Sequence, residues 1–121
     1  MGRTYTQLLS DVEHIQLPLE RTDYADNIYW VYGIVLDNDL SPNAEDCMKI
    51  LKNKNVGTRP FFYPMHKQPV FNKMGLFTGE SYPVAGYISD KGFYLPSGLA
   101  LTEEEISQAA RALKETIYEF S

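Results

Sequence analysis

Residues Asn27 to Leu36 read NIYWVYGIVL. The run is dense in β-branched and aromatic residues, the types that fit a pleated surface, and so predicts a strand. Ile28, Trp30, Tyr32 and Ile34 fall on one alternating face, and Tyr29, Val31 and Val35 on the other. A strand apolar on both faces is expected to be central and covered from both sides. Trp30 and Tyr32 are expected to pack beneath a neighbouring loop.

On the C-terminal side, "DNDLS" reads as a turn. Ser41 as N-cap and Pro42 at the first helical position then start a helix. Ala44, Met48 and Leu51 form its buried stripe, with Cys47 beside them, and Asn55 and Gly57 end it. "VGTRPFF" is a short strand, after which Pro60, Pro64 and Pro69 keep the chain extended, because each residue before a proline is pushed out of helical space. "NKMGLFTGES" is a long loop. Pro83 opens a helix with Val84, Tyr87 and Ile88 on its apolar face and Gly92 at its end. "GFYLP" is a short strand. Thr102 and Glu105 form a capping box, followed by Ile106, Ala109, Ala110, Leu113, Ile117 and Phe120 at helical spacing.

On the N-terminal side, Tyr5, Leu8, Leu9 and Val12 recur at helical spacing, with no clear cap before them. "HIQLPLERTDYADN" is irregular or an edge segment, since Pro18 blocks a central strand. The sum is an α+β domain, with helices packed on one face of a small antiparallel or mixed sheet.

The chain has 121 residues, the size of one domain with one modest core. Its net charge of −5, without a run of Lys and Arg, argues against nucleic-acid or acidic-membrane binding. Glu103, Glu104 and Glu105 sit where they complement a helix dipole. One cysteine, Cys47, allows no internal disulfide and reads as packing. With two histidines it offers no metal-ligand spacing. No apolar run reaches membrane-spanning length and no signal-peptide core is evident, so a cytoplasmic location is expected. Nine tyrosines, a residue type that tends to pack at one end and stay wet at the other, favour an interface or a pocket.

No self-sufficient catalytic set is visible: there is no Gly-rich phosphate loop, paired-His metal motif or serine elbow. The chemistry-bearing stretch is TRPFFYPMHKQPVF, Thr58 to Phe71. Prolines stiffen it, and within nine residues it presents Arg59, Tyr63, His66 and Lys67. Arg offers a fork for phosphate or carboxylate, His a donor or proton shuttle, and aromatics a stacking face. Two readings stand. The segment is an anion or nucleotide contact that loses little entropy on binding, or a structural loop with Arg59 in an ion pair and His66 satisfied inside the protein.

The blocks "NIYWVYGIVL", "GTRPFFYPMHKQPVF" and "YPVAGYISDKGFYLPSGLALTEEEI", in this order, resemble the C-terminal portion of the DegT–DnrJ–StrS family. These are pyridoxal-phosphate-dependent sugar aminotransferases, and the likeness is to their perosamine synthetase branch, from about Leu8 to Phe120. The resemblance implies the small C-terminal domain of a fold-type I aminotransferase, which moves an amino group from glutamate to a keto-sugar nucleotide. Residues 1–15 would be the end of an interdomain helix and 16–121 the small domain. The large N-terminal domain, absent here, would carry pyridoxal 5'-phosphate and its lysine. None of the seven lysines would inherit that role, so the chain alone, a truncated fragment, is expected to bind no cofactor and to be inactive. The full-length enzyme would be a homodimer. Pro64, Met65, His66, Gln68 and Pro69 match the family's loop near the nucleotide-sugar end of the site. His66, then Tyr63, then Arg59 are the implied substrate contacts, and Lys67 is expected to be exposed. A stand-alone nucleotide-sugar or small-anion binding module without catalysis is the alternative. Isolation of the small domain would leave an exposed apolar and aromatic patch.

Overall fold

In the computed structural model, which describes residues 1–121, four short strands form one antiparallel sheet. They are β1 (Ile15–Gln16), β2 (Tyr32–Leu36), β3 (Arg59–Pro60) and β4 (Gly92–Leu95), in the order β1-β2-β4-β3. β2 and β4 are the central pair, in register Tyr32↔Leu95, Gly33↔Tyr94, Ile34↔Phe93 and Val35↔Gly92. The helices are α1 (Gly2–Leu9), α2 (Ala44–Asn53), α3 (Pro69–Lys73), α4 (Pro83–Lys91) and α5 (Glu103–Glu119), with a 3-10 turn at Met65–Lys67. This is the expected α+β arrangement.

Strand alternation decides which side becomes the core. Tyr32, Ile34 and Leu36 of β2 and Phe93 and Leu95 of β4 point to one face and are buried. There they meet Tyr5 and Leu9 of α1, Cys47 and Leu51 of α2, and Ile106, Ala110, Leu113 and Ile117 of α5 in one apolar cluster. α5 is the longest helix, and Thr102 and Glu105 cap it reciprocally, as its sequence predicts.

Three local expectations give way. The predicted ten-residue strand is only Tyr32–Leu36. Asn27 Oδ1 accepts a hydrogen bond from the Tyr29 backbone N–H at 2.7 Å, and its amide donates to Leu19 O at 3.0 Å. Such local side-chain bonds compete with a strand ladder. Tyr29 takes φ +51°, which turns the chain, and Ile28 is left 89% exposed. The α2 cap is not Ser41–Pro42 but Asn43, two residues on. Asp46 N–H donates to Asn43 Oδ1 at 3.0 Å and Asn43 N–H to Asp46 Oδ2 at 3.2 Å, a reciprocal pair that Ser41 has no partner to make. The residues after Pro64 are also not all extended. Pro69 stands at the first position of α3, where its missing N–H costs nothing.

Candidate functional site

The sheet face opposite the core begins with two glycines. Gly33 and Gly92 lie on the alternate faces of β2 and β4, and the ring of Phe61 rests on both. A Cβ on Gly33 would stand 2.9 Å from Phe61 Cε1, and one on Gly92 2.5 Å from Phe61 Cε2. Phe61 also stacks against Tyr94, with centroids 4.7 Å apart. This aromatic plug fixes the chain where it leaves β3 and so positions its neighbours Arg59, Phe62 and Tyr63.

Those neighbours border an open cavity of about 1380 Å³ between the β3–β4 edge and the start of α2. Trp30, Phe62 and Tyr94 supply aromatic surface, and Glu45, Arg59 and Asp90 supply charge. Glu45 pairs with Lys49 at 3.1 Å and Asp90 with Lys67 at 3.6 Å. Arg59 alone among the three has no carboxylate within ion-pair distance. The ion pair that would have made Arg59 a structural residue is not formed. Its planar fork is open to a carboxylate or phosphate.

The predicted site residues divide. Arg59 and Tyr63 share this cavity, and Tyr63 is 56% exposed. His66 is half-buried outside the lining, its ring 5.0 Å from that of Tyr82. Gln68 ties the loop down by donating to Tyr63 O at 3.0 Å. Lys67, expected to be exposed, is partly buried because it reaches back to Asp90 on α4.

Trp30 and Tyr32 were expected together under the loop, but the chain bends at Trp30 and Val31, before β2 begins, and separates them. Tyr32 is buried on the core side against Tyr5 and shares a 2.8 Å hydrogen bond with Thr6. Trp30 is 71% exposed and faces Phe62, itself 75% exposed, with centroids 6.5 Å apart. It is Phe61 that packs inward from the loop. Composition had flagged Phe61 and Phe62 alike; only the strand pairing distinguishes the plug from the wall. The turn Pro96-Ser97-Gly98 also reaches the cavity, but its polar atoms serve the fold. Pro96 O accepts from Tyr5 OH at 2.8 Å, and Ser97 Oγ accepts from Tyr32 N–H at 2.9 Å while donating to Leu95 O at 2.8 Å.

Burial pushes the Cys47 thiol up to about 11, with help from the Asp46 charge, which suits a packing residue and opposes a thiolate nucleophile. No group of His, Cys, Asp and Glu is arranged to hold a metal ion. No helix is long and apolar enough to cross a membrane.

Comparison with known proteins agrees with this fold. The profile of the DegT/DnrJ/EryC1/StrS aminotransferase family matches residues 1–114, and the chain belongs to that family. It is 29% identical over 86 residues to a GDP-perosamine synthase of Vibrio cholerae, covering 71% of this chain and 23% of that protein. It is 26% identical over 91 residues to a GDP-perosamine synthase of Caulobacter vibrioides, covering 75% of this chain and 24% of that one. The chain thus spans about a quarter of the length of these relatives. In fold it is similar to the aminotransferase TlmJ of Streptoalloteichus hindustanus, with a TM-score of 0.82 at 18% identity, over 99% of this chain and 30% of that one. It is similar also to PseC of Helicobacter pylori, an aminotransferase involved in the biosynthesis of pseudoaminic acid. There the TM-score is 0.83 at 15% identity, over 98% of this chain and 31% of that one.

A pyridoxal phosphate seat needs a lysine amine opening on the cavity. No lysine lines this one. Lys49, Lys54, Lys67 and Lys114 are held by carboxylates, and Lys91 Nζ donates to Leu40 O and Pro42 O at 2.7 and 2.9 Å. Lys52 and Lys73 are exposed on helices. The side chains present do not fit the cofactor, and no step of amino transfer is assigned to them.

Proposed function

We propose that this chain is the C-terminal small domain (residues 16–121, with 1–15 from an interdomain helix) of a pyridoxal-phosphate-dependent sugar aminotransferase. The whole enzyme moves an amino group from glutamate to a keto-sugar nucleotide, acts as a cytoplasmic homodimer, and carries its cofactor on a large domain outside these 121 residues. The chain alone binds no cofactor and is inactive. Its own contribution is a wall that receives the nucleotide sugar, with Arg59 on phosphate, Tyr63 beside it, and His66 brought to the substrate when the cofactor domain packs against it.

The observation that carries this reading is the unpaired Arg59 beside exposed aromatics on a family-matched chain. The test is an NMR titration of the isotope-labelled chain with a nucleotide sugar such as GDP-mannose. Amide shifts should concentrate around Arg59 and Tyr63, and Arg59→Ala should abolish them. A spectrum unmoved at millimolar ligand would refute the substrate role. Restored amino transfer on adding a separately produced cofactor domain, and none without it, would support the rest.

A further inference from the structure

We infer that Lys67 is a positioning residue: its side chain crosses α4 above Gly86 to reach Asp90, and this strap fixes the turn that carries His66. The purpose of the strap rests on the reading of His66 above, whereas the strap itself rests on geometry alone.

From Gly57 to Lys91 no residue is buried. This stretch, which holds β3, the 3-10 turn, α3 and α4, has no core of its own, so single ties decide how firmly it is held. Rings fix its middle part at both ends. Phe62 meets Trp30 and Tyr94 at one end, and Tyr82 leads into α4 at the other. Between them, Gln68 donates to Tyr63 O and Thr78 to Gly75 O, bonds that stay inside the stretch. Of the side-chain hydrogen bonds and ion pairs made from Phe62 to Tyr82, only the pair of Lys67 with Asp90, at 3.6 Å, reaches outside it.

Gly86 opens the path. It lies four residues before Asp90 and so on the same face of α4. A Cβ on Gly86 would stand 3.7 Å from Lys67 Nζ and 3.9 Å from its Cε, so the lysine stem lies along the bare helix. A methyl group fits there in ordinary contact, and a longer side chain would lift the stem away. The Lys67 side chain is left only 34% exposed, with its stem against the helix and its amine at the surface. Lys67 is next in sequence to His66, whose ring lies 5.0 Å from that of Tyr82, the N-cap residue of α4. Strap and ring contact hold the same turn to the same helix.

NMR of the isotope-labelled 121-residue chain reads the strap directly. The signals are the nuclear Overhauser contact between the His66 and Tyr82 rings and the exchange of the Lys67 and Gln68 amides, which bond Pro64 O and Met65 O. Lys67→Met keeps the stem and removes the charge. It should weaken the ring contact and speed exchange of both amides by up to about fivefold, with the urea midpoint unchanged. Asp90→Asn should do the same, and Lys67→Arg should keep the parental signals. Salt at about 1 M should move the parent toward Lys67→Met and leave Lys67→Met where it is. Gly86→Leu should loosen the turn, and Gly86→Ala should not.

A His66–Tyr82 contact at parental strength in both Lys67→Met and Asp90→Asn overturns the strap. A lowered urea midpoint alongside its loss also overturns it, since Lys67 would then serve stability rather than position. Titration with GDP-mannose separates this inference from the substrate reading. Ligand shifts at Arg59 and Tyr63, with His66 indifferent to Lys67→Met, sink the strap and spare that reading. A His66 ring that responds to Lys67→Met in a chain unmoved by the ligand supports the strap and sinks the reading.

Discussion

Gly92 and the ring of Phe61 occupy the space that a single methyl group would need. A Cβ at Gly92 would lie 2.5 Å from Phe61 Cε2 and 2.6 Å from the carbonyl oxygen of Ile88. A ring can tilt, but the Ile88 carbonyl belongs to α4 and already accepts the Gly92 N–H. Gly92→Ala should therefore destabilise by about 3 kcal/mol, the upper range for overpacking. Gly33→Ala meets only ring atoms, at 2.9 to 3.2 Å, and should cost about 1 kcal/mol. Urea unfolding of both variants tests the order. A Gly33 variant that loses more than the Gly92 variant would show that the ring, rather than backbone, is the rigid neighbour.

The cap of α2 is equally specific. Asn43→Ala removes an acceptor for Asp46 N–H and should cost about 1 kcal/mol, whereas Ser41→Ala should fall within about 0.5 kcal/mol of the parent. Thermal unfolding followed by far-ultraviolet circular dichroism distinguishes them. A reversed order would return the cap to Ser41.

Tyr5 links α1 to the turn after β4, and its phenol is pushed up to about 12 by burial and then by the neighbouring Tyr32. The sign of the linkage follows. The folded state holds this proton more tightly than the unfolded state, whose tyrosine titrates near pH 10. The associated stability is complete below pH 10 and is lost as pH rises from 10 toward 12. Tyr32 is raised as well, by burial first, and acts in the same direction. Tyr5→Phe should lower stability at pH 7 by about 1 kcal/mol and flatten the alkaline decline. Unfolding midpoints from pH 8 to 12 that fall equally steeply in parent and variant would place the loss elsewhere.

How much of this was legible depended on whether the signal was local. The α5 capping box and periodicity, the Pro83-to-Gly92 helix and the strand from Gly92 needed no distant partner to be read. The N-terminal half of the NIYWVYGIVL run carries strand propensity without forming a strand. Propensity counts Ile28 and Trp30 as strand formers but cannot see that Asn27 spends its amide on Tyr29 N–H and Leu19 O. The site was legible as a segment and not as a cavity. Arg59 and Tyr63 emerge from composition and resemblance, yet their aromatic wall includes Trp30, some thirty residues away. Only the pairing of β2 with β4, and of β4 with β3, brings the two segments together.

That juxtaposition hangs on Tyr29. Its ring fills the space over Gly2, where a Cβ would stand 2.1 Å from Tyr29 Cγ, too deep in the ring to be relieved by rotation. Gly2→Ala should expel Tyr29, loosen the turn and let Trp30 swing free. Its fluorescence anisotropy should fall while the far-ultraviolet spectrum is retained. Tyr29→Phe is the complementary change. The Tyr29 hydroxyl is buried without a hydrogen-bond partner, so removing it should leave stability unchanged or raise it by up to about 1 kcal/mol, with Trp30 anisotropy unaltered. A Tyr29→Phe variant that loses stability would reveal a bond made by that hydroxyl in solution. A Gly2→Ala variant with normal Trp30 anisotropy would show that the wall is held by Phe62 and Tyr94 alone.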